Sequence, residues 1–194
     1  MKTAFAIVGL ATALVSSRVL AQGTVTYDQQ SYTGLPSNDT LGAITAGQPM
    51  GQSFTPSLQA VGFINLALTP GLTGTGTVYI NIRSNSITGP ILGTSEAVAV
   101  PLSFFGALTF NFDTQVAVTP GVTYYFQPVV ESGGGDVRTP IIAPSIYAGG
   151  TAFYNGNALP SDDLEFQEGI YVPEPSTWAL LAAGLGVLIW SRRR

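Results

Sequence analysis

Residues 22–171 of this 194-residue chain predict an all-β fold, an antiparallel β-sandwich of jelly-roll-like form, and three features carry that expectation. Apolar and polar residues alternate with period two in the clearest segments. Turns built on glycine and proline punctuate the chain at close spacing. No stretch of the body sustains the three-to-four-residue apolar spacing of a helix. About ten short strands separated by such turns belong in two packed sheets.

In chain order, residues 24–28 form the first strand candidate, and the polar, irregular stretch 38–48 reads as a long loop before the second, at 51–55. Residues 60–68 follow, ended by Thr69-Pro-Gly71. The strongest strand is 77–83, where Val78, Ile80 and Ile82 share one face and Tyr79, Asn81 and Arg83 the other. Thr88-Gly-Pro90 precedes a candidate at 91–98. Leu108, Phe110 and Phe112 repeat the alternation within 107–113, with Thr109 and Asn111 outward, and 116–118 is a short further strand. In 122–130, Pro128 has no N–H for a ladder and so marks an edge or a bulge. Segments 141–146, 151–154 and 164–172 complete the set, with Gly149-Gly150 and Asn155-Gly-Asn157 as turns. Val78, Ile80, Ile82, Leu108, Phe110, Phe112, Tyr124 and Phe126 are the expected core, because a one-residue slip would turn an entire apolar set to water.

Both ends carry addresses. Met1-Lys2 supplies a positive charge, residues 4–15 are apolar or small, and Val19-Leu20-Ala21 ends the segment as a secretory signal peptide does, so residues 1–21 are expected to be removed between Ala21 and Gln22. At the other end stand Val172-Pro173-Glu174-Pro175-Ser176, an uncharged apolar run of 13 residues from Trp178 to Trp190, and Arg192, Arg193 and Arg194. The two prolines fix φ and lack donors, which keeps Glu174 extended and open to a processing enzyme. A tryptophan at each end of the run suits a membrane span; with Ser176, Thr177 and Ser191 it approaches the roughly 20 residues that a short transmembrane helix requires. Three arginines with no acid after Glu174 orient the C-terminus to the cytoplasm and the body outside.

Together, Val172, Pro173, Glu174, Pro175, the apolar run and the terminal arginines resemble the PEP-CTERM sorting signal of Gram-negative bacteria, here over residues 172–194. The resemblance implies delivery by the Sec translocon, anchoring in the inner membrane, recognition by an exosortase that cuts near the motif, and transfer to the cell surface or an exopolysaccharide matrix. The same tail profile is also labelled an ice-binding protein C-terminal domain. Gly51-Gln-Ser-Phe-Thr-Pro56, Ile87-Thr-Gly-Pro-Ile-Leu-Gly93, Val118-Thr-Pro-Gly-Val-Thr-Tyr-Tyr-Phe126 and Gly149-Gly-Thr-Ala-Phe-Tyr-Asn155 resemble jelly-roll bodies attached to such tails. These stretches are turns and core positions, so they imply architecture and leave activity open.

Charge and composition exclude several classes. Residues 22–171 hold two basic residues, Arg83 and Arg138, against ten acidic ones, a net charge of −8. A body so poor in cations is unsuited to nucleic acid and to attachment through its charge to anionic lipid. The chain has no histidine and no cysteine, which removes Ser-His-Asp and Cys-His catalysis, the usual zinc ligands, haem and iron-sulfur sites, and disulfides. Beyond the signal peptide it has no lysine, so Schiff-base chemistry and a phosphate-loop lysine are absent as well.

Two clusters carry site expectations. Asp163 and Glu165 share one face of a strand and, with Asp28 from the first strand, offer oxygen ligands to a hard cation such as calcium; the same acids also read as a solvated edge that discourages aggregation. Tyr147, Phe153 and Tyr154 beside the glycine turn present aromatic surface for sugar rings, with Asn155 and Asn157 for hydroxyls, although alternating aromatics also fill sandwich cores. No catalytic residue is expected, since glycoside hydrolysis by carboxylates alone requires two acids across a cleft and nothing in the sequence places them so. The expected role is a non-enzymatic structural or adhesive protein of the surface or matrix, with a lectin-like module or a carbohydrate-active enzyme as alternatives, and with no cofactor other than the calcium considered above.

Overall fold

Period-two patterning becomes fourteen strands, and no helix, among the residues described by the computed structural model, 24–31, 40–71 and 74–172. In chain order these are β1 (Thr24–Ser31), β2 (Thr40–Ala43), β3 (Gly51–Phe54), β4 (Ala60–Pro70), β5 (Thr77–Ser84), β6 (Ile91–Thr94), β7 (Val98–Ala99), β8 (Gly106–Ala117), β9 (Tyr124–Val130), β10 (Val137–Ile142), β11 (Ala152–Tyr154), β12 (Asn157–Leu159), β13 (Asp163–Leu164) and β14 (Phe166–Val172). The signal peptide with Ala21 and Gln22, and the tail with Pro173, Glu174, Pro175, the apolar run, Arg192, Arg193 and Arg194, lie outside the described residues.

Every strand pairing is antiparallel, and the pairings make two sheets. The first runs β1-β14-β4-β10-β13, with β8 on the other side of β4 and β2 also on β10; the second runs β12-β11-β3-β9-β5-β6, with β7 also on β5. Thr24 stands opposite Val172, so the first and last strands are neighbours. Such pairing of sequence-distant strands is consistent with a jelly-roll-like body, and Thr24–Val172 clusters as one compact unit.

The core lies between the sheets. Ile64 and Leu66 of β4, Phe110 of β8 and Phe166 of β14 meet Ile80 and Ile82 of β5, Phe54 of β3 and Phe126 of β9, all essentially without solvent contact. The rings of Phe126 and Phe166 join the two layers at 5.0 Å between centroids. Each such buried side chain contributes about 2–3 kcal/mol of transfer free energy. Val78, Ile80, Ile82, Phe110, Phe112, Tyr124 and Phe126 are buried as their alternation requires, and Leu108 is half-buried against the same core. Close approach of backbones also matters: a Cβ at Gly51 would sit 2.0 Å from the Phe126 carbonyl oxygen, where only glycine fits.

Several expectations change. The stretch 38–48 contains β2, which pairs with β10 from Arg138 to Ile141. The segment 91–98 divides into β6 and β7, and 116–118 continues β8 through Ala117. The strand expected at 141–146 starts earlier and ends at Ile142. Asn81, expected outward, is buried and accepts a hydrogen bond from Thr94. Pro128 sits in β9, between β3 and β5, yet the β3 pairing stops at Phe126. Past that point the strand has a local edge, where the Gln48 side chain donates to the Pro128 carbonyl at 2.7 Å.

Candidate functional site

A tight hairpin builds one wall of an open groove. Asn155 (φ 53°) and Gly156 (φ 75°) both take positive φ, the two-residue turn whose twist matches paired strands. Tyr154 and Asn157 then stand directly opposite each other in the β11–β12 pairing and project from the same face. The hairpin tip is tied down by the Asn155 amide donating to the Gly47 carbonyl at 2.7 Å and the Gly156 amide to that of Pro49 at 2.8 Å. Gly47 allows this: a Cβ there would lie 2.3 Å from Cε2 of Tyr154, so the ring packs against bare backbone. The groove, about 500 Å³, runs from the hairpin to β2 and β10 and is lined by Tyr154, Asn155, Asn157 and Asp162, with Leu41 and Ile141 among its apolar contacts.

The three aromatics expected to meet a sugar are therefore separated. Tyr154 is half-buried and lines the groove. Phe153 points to the opposite face of its strand, edge-on to Tyr125 at 5.6 Å. Tyr147 is buried in the core edge-on to Phe166 at 5.4 Å, and its hydroxyl accepts the Thr55 amide (3.1 Å) and donates to Gln29 (3.0 Å). Burial, reinforced by the negative field of Glu168, Asp28 and Asp163 and only partly offset by the Thr55 amide, pushes its pKa up to about 12. Tyr147 is a core residue and offers no surface to a glycan.

The acids do not form a solvated edge either. Asp163 and Glu168 are fully buried, and Glu165 is 1% exposed. Asp163 Oδ1 accepts from Gln52 Nε2 (3.0 Å), and Oδ2 accepts from the Ser145 hydroxyl (2.7 Å) and the amides of Ile146 and Tyr147 (both 2.8 Å). Gln52 returns an acceptor to the Leu164 amide at 2.9 Å, so the pair clasps β3 of one sheet to β13 of the other. Glu165 falls at the break between β13 and β14, where its carbonyl accepts the Ala67 amide. Among the described residues no group of three acidic side chains converges as a metal site, and Asp28, Asp163 and Glu165 are not brought together.

Asp28 has a different partner. It occupies a bulge in β1, between Tyr27 and Gln29, and accepts from the Ser57 hydroxyl, the Ser57 amide (2.7 Å), the Leu58 amide (2.9 Å) and Gln29 (3.0 Å). Burial acts to raise its pKa, and these donors outweigh burial and hold it below the usual carboxylate value. Glu168 lies beside it inside the sandwich. Burial first, then the charge of Asp28 and a side-chain contact with it, push the Glu168 pKa up to about 9, the Gln29 amide pulling the other way. At neutral pH Glu168 is thus protonated against an ionised Asp28. Sequence reasoning missed this pair, yet Phe166, Glu168 and Ile170 share one parity, and that parity put Glu168 on the apolar face.

Beyond the groove, β14 ends at Val172, which is 42% exposed, and the chain continues into the proline-bracketed glutamate. Residues 172–194 match the PEP-CTERM protein-sorting motif. The motif makes the protein an exosortase-sorted exported protein that passes through a membrane-anchored intermediate. No curated protein matches the chain.

Proposed function

We propose that this PEP-CTERM protein resides at the cell surface or in the exopolysaccharide matrix of a Gram-negative bacterium, where its body acts non-catalytically by holding a neutral glycan in the Tyr154 groove. The observation that carries this reading is the composition of the groove: an aromatic ring, two side-chain amides and one acid over apolar side chains, the mixture that binds sugar rings through stacking and hydroxyl hydrogen bonds. Of the body's two cations, Arg138 is paired with Asp136 at 2.6 Å and Arg83 donates to Gln127 and the Gly89 carbonyl. With both engaged and a net charge of −8, the body favours uncharged over uronic-acid polymers. The lining supplies Asp162 as a single carboxyl group, whereas acid-base hydrolysis of a glycoside uses two, which supports a reading of binding without turnover.

Retention of the full chain, in detergent, on immobilised neutral hexose polymers tests this. Tyr154→Ala is expected to weaken retention about tenfold, equivalent to about 1.4 kcal/mol, while Tyr154→Phe keeps most of it and neither variant changes the melting temperature by more than a few degrees. Calcium and chelator are expected to give the same retention, because the donors around Asp28 and Asp163 are the protein's own. Equal retention of wild type and Tyr154→Ala, or preference for a uronic-acid polymer, would remove the groove from the account.

A further inference from the structure

We propose that the end of the first sheet formed by residues 24–27 of β1 and 169–172 of β14 is a membrane-contact surface, seated on the lipid headgroups while the chain is anchored. This rests on the sorting motif and not on the glycan reading. Val25, Tyr27 and Val172 are 43%, 53% and 42% exposed, which places three exposed apolar side chains at one end of this strand pair. Tyr27 stands edge-on to Phe63 at 5.7 Å, and Phe63 lies 5.1 Å from Tyr171, so the tyrosines flank a buried ring and form one apolar face with hydroxyl tips. Val25 opposite Tyr171 extends it.

Chain length places that face. Five residues lie between Val172 and Trp178, the start of the apolar run, so six steps of about 3.3 Å each join them in an extended chain. The stretch of chain that joins β14 to the run is therefore at most roughly 20 Å long. The two strand segments themselves are free of charged side chains. A body of net charge −8 is repelled by anionic headgroups, but neither strand segment carries Asp, Glu, Lys or Arg, and Asp28, next along β1, turns its carboxylate to the Ser57 and Leu58 amides. Tyrosine and valine without charge are the side chains that favour the interfacial zone. Lipid is thus the occupant that reach, polarity and charge all fit.

The absence of native cysteine permits a clean test. Full-length protein carrying a single fluorophore at Val25→Cys is reconstituted in vesicles of phosphatidylethanolamine and phosphatidylglycerol and compared with Leu102→Cys. Leu102 is 76% exposed and lies before Gly106, which pairs with Leu68 at the far end of β4 from the Phe63–Gly169 pair. Nitroxide-bearing lipids are expected to quench Val25→Cys severalfold more than Leu102→Cys, with iodide in the aqueous phase showing the reverse order. A second label at Val172→Cys covers the case in which the first variant does not fold, and it should follow Val25→Cys. Equal quenching at the two ends of the sheet by either agent overturns the proposal.

Discussion

Asp163→Ala is expected to lower the stability of the body by about 3–5 kcal/mol, the largest loss from any single acidic residue. Four donors converge on its carboxyl group, and its removal strands the Gln52 side-chain amide and the Tyr147 amide in a fully buried site and the Ser145 hydroxyl and Ile146 amide in a partly buried one. A buried donor left unsatisfied costs about 1–3 kcal/mol, and relaxation prevents the costs from adding fully. In a unit of this size the loss corresponds to a fall of roughly 10 °C in melting temperature. The loop that Asp163 holds also delivers Tyr147 to the core, so protection of the 145–147 amides from hydrogen exchange should fall with it. Asp163→Asn, which keeps one acceptor oxygen, should recover part of the loss. A change below about 1 kcal/mol for the alanine variant would show that the clasp between β3 and β13 is not what holds the sheets there.

Glu168→Gln is expected to act in the opposite direction. A carboxyl group whose pKa is raised from 4.5 to about 9 binds its proton more tightly folded than unfolded. Its contribution is therefore most favourable below pH 4.5, declines as pH rises toward 9, and levels off above. The slope is about 1.4 kcal/mol per pH unit, or roughly 3 kcal/mol at pH 7 relative to pH 4.5. The groups facing Glu168 are Asp28 from β1 and Tyr147 from the segment after β10. Tyr147 titrates only near 12, and Asp28 is already ionised above its lowered value, so Glu168 dominates this window. Glutamine is neutral at every pH and can donate to Asp28. The variant should match wild type near pH 4.5, exceed it by about 3–4 kcal/mol at pH 7–8, and show little pH dependence between. Melting curves of both proteins across that range decide it, and an unchanged slope in Glu168→Gln assigns the titration elsewhere.

Residues that follow local rules were legible in the sequence. Val78, Ile80 and Ile82 alternate and are buried; Asn155-Gly156 is a turn signal and makes the turn that sets Tyr154 beside Asn157. The misplaced residues depended on partners far along the chain. Tyr147, next to a glycine turn, resembles a surface aromatic, yet Thr55 and Gln29 satisfy its hydroxyl inside the core. β2 lacks alternation and exists through its pairing with β10, which is why the groove wall that includes Leu41 could not be read locally. Asp163 and Glu165 share parity, but the break between β13 and β14 removes the regular strand that parity arguments assume. Glu168 differs, since its parity with Phe166 pointed inward and its acidic neighbours obscured that signal.

Sorting remains the most direct test, because the placement of the groove at the cell surface and the lipid contact of the sheet end both depend on it. The measurement is mass spectrometry of the protein recovered from its final location, in cells producing wild type and Glu174→Ala. Processing at the motif predicts wild-type protein that has lost Trp178 through Arg194, and a variant that stays in the membrane with its C-terminal arginines intact. Wild-type protein that reaches its destination with the whole tail attached, and a variant indistinguishable from it, would contradict the account.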